Sequence, residues 1–484
     1  MQIAPILRVL GLLLLCLAGA MTLPLLIALV TGGPEAFPIL LSLICTSAGG
    51  LLGSLSYRRR VDIGAREGFA IVTAAWILFS AFGALPFYFA GMLPSYTDAY
   101  FEAMSGFTTT GATVLTDIEK HPLALLFWRS FMQWLGGMGI IVLSLAILPM
   151  LGVGGMQLYK AEVPGPVPDR LVPRIRQTAI LLWGIYLLLS GIQVLVFFLL
   201  GMPFVEALLH TFSTMSTGGF SPKAASIGAY QSAAIDTVTI VFMFLASVNF
   251  VFHFQALRGN FGAYRHPEFR FYVGSVLIAI ALMTLTLWGP VYPDFSAALR
   301  YGAFQVVSIV STTGFGTADY ATWPVFGQFL LLCLMLVGGC AGSTSGAIKH
   351  IRSLLLFKVA YDHLYKLVHP KAVRHVKIGG RVVPKDVLDG VHVFVLLYFL
   401  SFFVATAGLT LLDVDLITAI GAVAATLGNV GPGLGLVGPM ENFAAVPALG
   451  KWMLGACMVL GRLELFTVLI LFTPDLWRGV AWRR

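Results

Sequence analysis

The sequence predicts an all-α polytopic membrane protein: two N-terminal transmembrane helices, then four copies of one helical unit set around a pseudo-four-fold pore. Three observations predict it. The 484 residues are 58% hydrophobic and 11% charged, with a mean hydropathy of +0.89, whereas soluble domains carry roughly 25% charged residues. Apolar segments long enough to cross a bilayer alternate with apolar segments too short to do so. A Gly/Thr-rich run recurs between them: Ser105-Gly106-Phe107-Thr108-Thr109-Thr110-Gly111-Ala112-Thr113, Ser216-Thr217-Gly218-Gly219-Phe220-Ser221, Ser311-Thr312-Thr313-Gly314-Phe315-Gly316, and a divergent Gly428-Asn429-Val430-Gly431-Pro432-Gly433. Gly111, Gly219, Gly314 and Gly431 stand 108, 95 and 117 residues apart. Repeats of this kind fix the architecture before any single element does.

The first apolar segment, ~5–31, exceeds the roughly 7–15 residues of a signal-peptide core and reads as a retained helix. A second follows at ~38–57 and stops at Arg58-Arg59-Arg60. Each is near the ~20 residues a bilayer requires. From there the unit is a long helix, a short one, the Gly/Thr run and a second long helix. The predicted spans are ~68–92, ~97–107 and ~123–150; ~178–200, ~204–215 and ~233–257; ~271–289, ~296–310 and ~324–358; ~387–412, ~414–427 and ~446–473. The chain therefore divides into an N-terminal pair (1–60) and repeats at 61–170, 171–265, 266–380 and 381–484. The short segments are of re-entrant length. Irregular backbone at membrane depth is tolerated only inside protein or beside water, so the runs are expected to line a cavity.

Charge sets the orientation. The loops at ~57–68, ~156–177, ~258–270 and ~349–386, with the tail from Trp477, hold 23 of the 30 Lys and Arg residues. They are therefore cytoplasmic. The opposite side carries Lys120, Lys223, Arg300 and Lys451 against Asp98, Glu102, Asp117, Glu119, Glu206, Asp236, Asp294, Asp319, Asp413, Asp415 and Glu441. That predicts an acidic outer vestibule, which raises the local concentration of cations, or simply a solvated rim. A net charge of +8 then reflects cytoplasmic loops and implies no nucleic acid. The five cysteines lie in apolar segments, without CxxC spacing or histidine neighbours. They read as inert core thiols.

The runs contain no His, Cys, Asp or Glu, which argues against an enzyme. Short helices aimed at one axis bring their C-terminal partial negative charges together, and glycine lets the following backbone turn its carbonyls inward. Carbonyls replacing a hydration shell are how potassium filters bind their ion. A secondary transporter built on inverted repeats fits less well, because all four units share one orientation by charge.

These runs, with Trp128-Arg129-Ser130, Gln133-Trp134-Leu135-Gly136-Gly137-Met138-Gly139, Gly338-Gly339-Cys340-Ala341-Gly342-Ser343-Thr344 and Gly461-Arg462-Leu463-Glu464-Leu465-Phe466, resemble the Trk/Ktr/HKT superfamily of potassium transporters, in particular its bacterial Trk membrane subunits. The resemblance covers essentially the whole chain. It implies four M1–pore-helix–M2 repeats, potassium uptake across the inner membrane, a homodimer with one pore per chain, and a cytosolic nucleotide-binding (NAD/ATP-type) regulatory subunit. It implies a potassium filter at Thr109, Thr110, Gly111, Thr217, Gly218, Gly219, Thr312, Thr313, Gly314, Asn429, Val430 and Gly431, with no cofactor beyond the transported K⁺. In this superfamily a serine at the first filter glycine accompanies sodium permeation, so Gly111 favours potassium. Asn429 and Val430 depart from the pattern and predict an imperfect four-fold ring.

Glycines at 338, 339, 342 and 346 each cost ~1 kcal/mol in a helix. Gly338, Gly339, Cys340, Ala341, Gly342, Ser343, Thr344, Ser345 and Gly346 are therefore expected to form a non-helical loop beneath the filter that gates conduction, as the resemblance also implies. The alternative is small-residue helix packing. Arg462 lies midway along an apolar segment, where charge is costly and usually functional. Residues i and i+2 do not face each other on a helix, so Arg462 is not expected to pair with Glu464; it should project into the pore near the loop. Arg129 is expected to tie helix to pore loop, and His210 and His253 to be packed histidines rather than proton carriers. The basic stretch Lys349–Lys385 either lies on anionic lipid or docks a cytosolic partner. No Walker motif occurs, and the one GxGxxG spacing, Gly433 to Gly438, lies in the fourth Gly-rich run, so nucleotide sensing is expected to belong to another protein.

Overall fold

The computed structural model describes residues 3–56, 64–147 and 172–477. The Arg58-Arg59-Arg60 stop, most of the basic loop at 156–177 and the tail beyond Trp477 lie outside the described residues. Two long helices, Ile3–Thr31 and Ala36–Leu55, pack along each other ahead of the repeats. Each repeat then opens with a long helix: Ala65–Gly83, Val172–Leu199, Pro267–Leu287 and Lys385–Thr410. The first is extended by Leu85–Phe89, which restarts with Pro86 in its first turn, the one helical position where a missing N–H costs nothing. Six helices among the described residues are long and apolar enough to cross a membrane.

The short helices are Tyr96–Phe107, Phe204–Met215, Phe295–Val310 and Leu416–Leu427. Two have side-chain N-caps: Ser95 Oγ accepts from Asp98 N (3.1 Å) and Asp415 Oδ1 from Thr418 N (3.0 Å), satisfying donors the helix cannot. Their C-terminal halves are buried almost completely; Ala99 to Phe107 contains no exposed residue. Helices of this length are marginal alone, and tertiary burial holds them. Aromatic packing contributes, as where Phe212 of the second short helix sits against Phe127, Phe131 and Trp134.

The closing helices differ from expectation. Only the first, Leu123–Ile147, runs unbroken over its described length. The second breaks between Ala246 and Phe250 and bends by 99°; the fourth breaks between Arg462 and Phe466 and bends by 111°. The third stops at Val337 and resumes at His350. Each break has a local cause. Asn249 turns its side chain back to accept from Val251 N (2.9 Å), starting a new helix. Gly338, at φ +72°, ends the third. At the fourth break Glu464 and Leu465 take φ of +58° and +44°. Such backbone costs about 1–3 kcal/mol per residue, and it is over-determined here by two ion pairs from the third repeat to the Glu464 carboxylate, Lys349 Nζ and Arg352 Nη2, both at 2.6 Å.

The Lys349–Lys385 stretch forms the helix His350–Val368 and a two-stranded hairpin, Lys377–Ile378 with Arg381–Val382. Val376, Ile378 and Val383 pack with Ile351, Leu355, Val387 and Val391, and Ala341 joins the same apolar cluster.

Candidate functional site

The four runs form one closed ring. After each short helix the C-cap residue (Thr108, Ser216, Ser311, Gly428) is followed by a residue at positive φ: Thr109 +51°, Thr217 +54°, Thr312 +61°, Asn429 +52°. Two residues on comes glycine, again at positive φ: Gly111 +87°, Gly219 +76°, Gly314 +81°, Gly431 +104°. Each run closes back on its helix by the same bond: Thr110 N to Ser105 O, Gly218 N to Ser213 O, Thr313 N to Ser308 O and Val430 N to Ala425 O, all 2.8–2.9 Å.

The glycines mark where neighbours meet. A Cβ on Gly111 would lie 2.2 Å from Gly218 O, one on Gly219 1.9 Å from Thr313 O, one on Gly314 2.0 Å from Val430 O, and one on Gly431 2.8 Å from Thr110 O. Run one meets two, two meets three, three meets four, and four meets one. Any side chain at these positions would push a neighbouring carbonyl out of the ring, on backbone that L-residues already disfavour.

The fourth run keeps the backbone of the other three despite its different side chains, with the loosest contact to its neighbour. Asn is among the few residues that accept left-handed backbone readily, and the Asn429 side chain is buried against protein. Its Nδ2 donates to Thr110 Oγ1 and Met458 O, both 3.0 Å. Val430 contributes its carbonyl at the place where Thr110, Gly218 and Thr313 contribute theirs. The divergence is in side chains that face protein, and the backbone ring keeps four sides. Some of the hydroxyls likewise serve the scaffold: Thr108 pairs with Thr110 (2.8 Å) and Ser311 with Thr313 (2.7 Å).

Residues after the glycines line a cavity of about 110 Å³, whose walls include Thr113, Ser221, Gly316, Pro432 and Glu441. Its charge is not the acidic vestibule the composition suggested. Arg129 and Lys223 also line it, and Glu441 is its one carboxylate. Glu102 and Asp236 are buried and paired, with Arg129 and Arg300, at 2.6 Å each. Every outer cation named above has an acidic partner: Lys120 with Asp117, Lys223 with Glu206, Arg300 with Asp236, Lys451 with Asp98. The carboxylates were counted correctly, but several are spent on ion pairs. Arg129 ties helix to run as expected, donating to Ser221 O (3.0 Å) and stacking on Phe220 at 3.5 Å.

Residues before the glycines meet the 338–346 loop. It is non-helical, as expected, and buried throughout apart from a half-buried Gly342. Thr344 Oγ1 donates toward Met215 O and Ala246 O (3.1 Å each), and Ser345 Oγ donates to Ser311 O (2.8 Å). Gly346 N donates to Thr312 Oγ1 (2.9 Å), Cys340 N to Ser247 O (2.9 Å) and Ala341 N to Glu268 Oε1 (2.7 Å). The loop thus caps the C-terminal ends of the second and third short helices. Arg462 is buried against it, with Nη1 on Thr344 O (2.7 Å) and Nη2 on Gly136 O (3.4 Å). Among the described residues its guanidinium has no carboxylate partner, because Glu464 faces Lys349 and Arg352.

A family model described as "TrkH: Cation transport protein" matches residues 39–479. The chain belongs to the TrkH cation transport protein family. It is 44% identical over 485 residues to the Trk system potassium uptake protein TrkH of Salmonella typhimurium, covering 99% of this chain and 100% of that protein. The TrkH proteins of Escherichia coli and Vibrio parahaemolyticus are also 44% identical, over 99% of this chain. The crystal structure of the potassium transporter TrkH from Vibrio parahaemolyticus superposes with a TM-score of 0.91 at 40% identity, covering 99% of this chain and 100% of that one. The TrkH family is one of transporters rather than enzymes.

Both histidines are satisfied. His210 contacts Glu206 O (2.8 Å) and Ser221 Oγ (3.1 Å), and His253 contacts Tyr264 Oη (2.8 Å) and Leu245 O (2.9 Å). Sequence reasoning gave no role to Gln133, whose Nε2 donates to Gly218 O at 2.6 Å. Its signals were its place at the head of the Gln133–Gly139 stretch and an uncharged amide in an apolar segment. Ser247 and Asn249, which seat the loop, gave no signal at all.

Proposed function

We propose that this chain carries potassium inward across the bacterial inner membrane through a channel-like path along the axis of the ring. The closed four-sided contact of Gly111, Gly219, Gly314 and Gly431 with neighbouring carbonyls carries this reading. Backbone carbonyls substitute for the ion's hydration shell, and four inward helix C-termini add partial negative charge. No titratable side chain takes part, so ion choice rests on backbone dipoles alone. The potassium transport named for the relatives agrees with it.

The 338–346 loop acts as the gate and Arg462 as a fixed positive charge that holds it. The chain works as a homodimer with a nucleotide-binding regulatory subunit on its cytoplasmic face. The apolar cluster joining Ala341 to Val376, Ile378 and Val383 of the hairpin supplies a route from that face to the loop. Gly111→Ser in the purified chain tests the filter. The serine Cβ has no room beside Gly218 O, so potassium-over-sodium selectivity in liposome flux falls, with sodium flux rising. Wild-type selectivity in a folded Gly111→Ser protein would remove the ring from the ion path.

A further inference from the structure

The four sides of the ring are supported in different ways. In the first and third runs a C-cap hydroxyl grips a hydroxyl two residues on: Thr108 to Thr110 and Ser311 to Thr313. The second run has Ser216 at its C-cap but Gly218 at the second position, so that grip is missing. The space is filled from another repeat. A Cβ on Gly218 would lie 2.5 Å from Gln133 Cδ and 2.7 Å from its Oε1. Gln133 is fully buried on Leu123–Ile147. Its Nε2 donates to Gly218 O (2.6 Å) and its Oε1 accepts from Phe220 N (3.0 Å). The amide therefore clasps the backbone on both sides of Gly219. Gly218 does not require glycine for its backbone angles, since its φ is not positive; it requires glycine to admit Gln133.

We propose that Gln133 is a specificity-determining positioning residue, and that Gln133 and Gly218 form one device that sets the second side of the ion filter. The proposal rests on reading the ring as that filter. A carbonyl oxygen has two lone pairs. Gln133 takes one and leaves one for an ion, so it fixes where the Gly218 dipole points without removing it from the ring. An amide suits this task where a charged group would not. It donates to one backbone group and accepts from another while adding no net charge beside the ion, and buried polar groups matched on both sides hold a single geometry. Gln133 does not touch the axis; it acts through Gly218 and Gly219.

The test is selectivity in liposome flux with K⁺ and Na⁺, using the full chain. Gln133→Met keeps the bulk and removes the clasp. Potassium-over-sodium selectivity should fall at least tenfold while K⁺ still permeates, since the other three sides are intact. Gly218→Thr alone clashes with Gln133 and should also lose selectivity. Gln133→Ala combined with Gly218→Thr makes room for a hydroxyl beside Ser216, as in the first and third runs. The double variant should recover selectivity to within about threefold of the parent, which a purely structural role for Gln133 does not predict. Parent-like selectivity in folded Gln133→Met overturns the proposal. If Gln133→Met does not assemble, the double variant decides: recovery supports the device, and either lost selectivity or failure to assemble contradicts it. Gly111→Ser, run in parallel, separates the two levels. If it changes selectivity while Gln133→Met does not, only the Gln133 assignment fails. If neither changes it, the filter reading fails as well.

Discussion

Arg462 concentrates the physics of the site in one side chain. It is buried, bonded to carbonyls of Thr344 and Gly136, and has no carboxylate beside it among the described residues. A passing cation ~6 Å away is repelled by about 3 kcal/mol at an effective dielectric near 20. Each 1.4 kcal/mol is worth about a factor of ten in rate, so the ceiling is roughly a hundredfold, and pore water lowers it. Arg462→Ala removes this barrier together with one anchor of the loop. Potassium flux in liposomes should rise about tenfold, with selectivity unchanged because the ring carbonyls keep their supports. A folded variant with flux at or below the parent level would show Arg462 to be structural. One feature of Arg462 was legible in the sequence, from i,i+2 geometry: its failure to pair with Glu464. Asn429 was legible only in part. Its identity suggested a weak side of the ring, but the direction of a side chain on left-handed backbone is not written in residue type.

At the scale of elements, the four short helices were legible almost to the residue. A 10–15-residue apolar segment followed by Gly/Thr has few other places to go in a membrane protein. The breaks in the second and fourth closing helices were not legible. The fourth depends on Glu464 meeting Lys349 and Arg352, more than a hundred residues away, and hydropathy along the chain contains no such contact. That ion-pair pair makes a stability prediction. Removing one partner of a buried pair costs about 3–5 kcal/mol, and Glu464, a quarter exposed, should fall somewhat short of that. Glu464→Gln should lose roughly 2–4 kcal/mol, read as a lowered melting temperature in detergent; an unchanged melting temperature would mean that packing alone holds the bend. The loop makes a functional one. Deleting Gly342 to Ser345 removes the bonds from Thr344 to Met215 O and from Ser345 to Ser311 O. Flux through the purified chain alone should rise above the parent level, and a folded deletion with parent flux would show the segment to be packing only.

Over the whole molecule, one chain builds four-fold symmetry from four unequal sequences. The symmetry lives in the backbone: a C-cap, a left-handed residue, a returning hydrogen bond and a glycine, four times over. Side chains are free to differ because they face protein, and they do differ, through hydroxyl pairs, Gln133 and Asn429. The outer surface shows the limit of composition in the same way, since counting carboxylates cannot tell a vestibule from a set of ion pairs. The proposed function makes the ring itself the ion site, and the most direct test locates the ion. Crystals of the full chain grown in Rb⁺, a heavier stand-in for K⁺, should show anomalous density on the axis enclosed by the Thr110, Gly218, Thr313 and Val430 carbonyls, absent from crystals grown in Na⁺. Ordered Rb⁺ bound elsewhere in the membrane region, with the ring empty, would contradict a cation path through the four glycines.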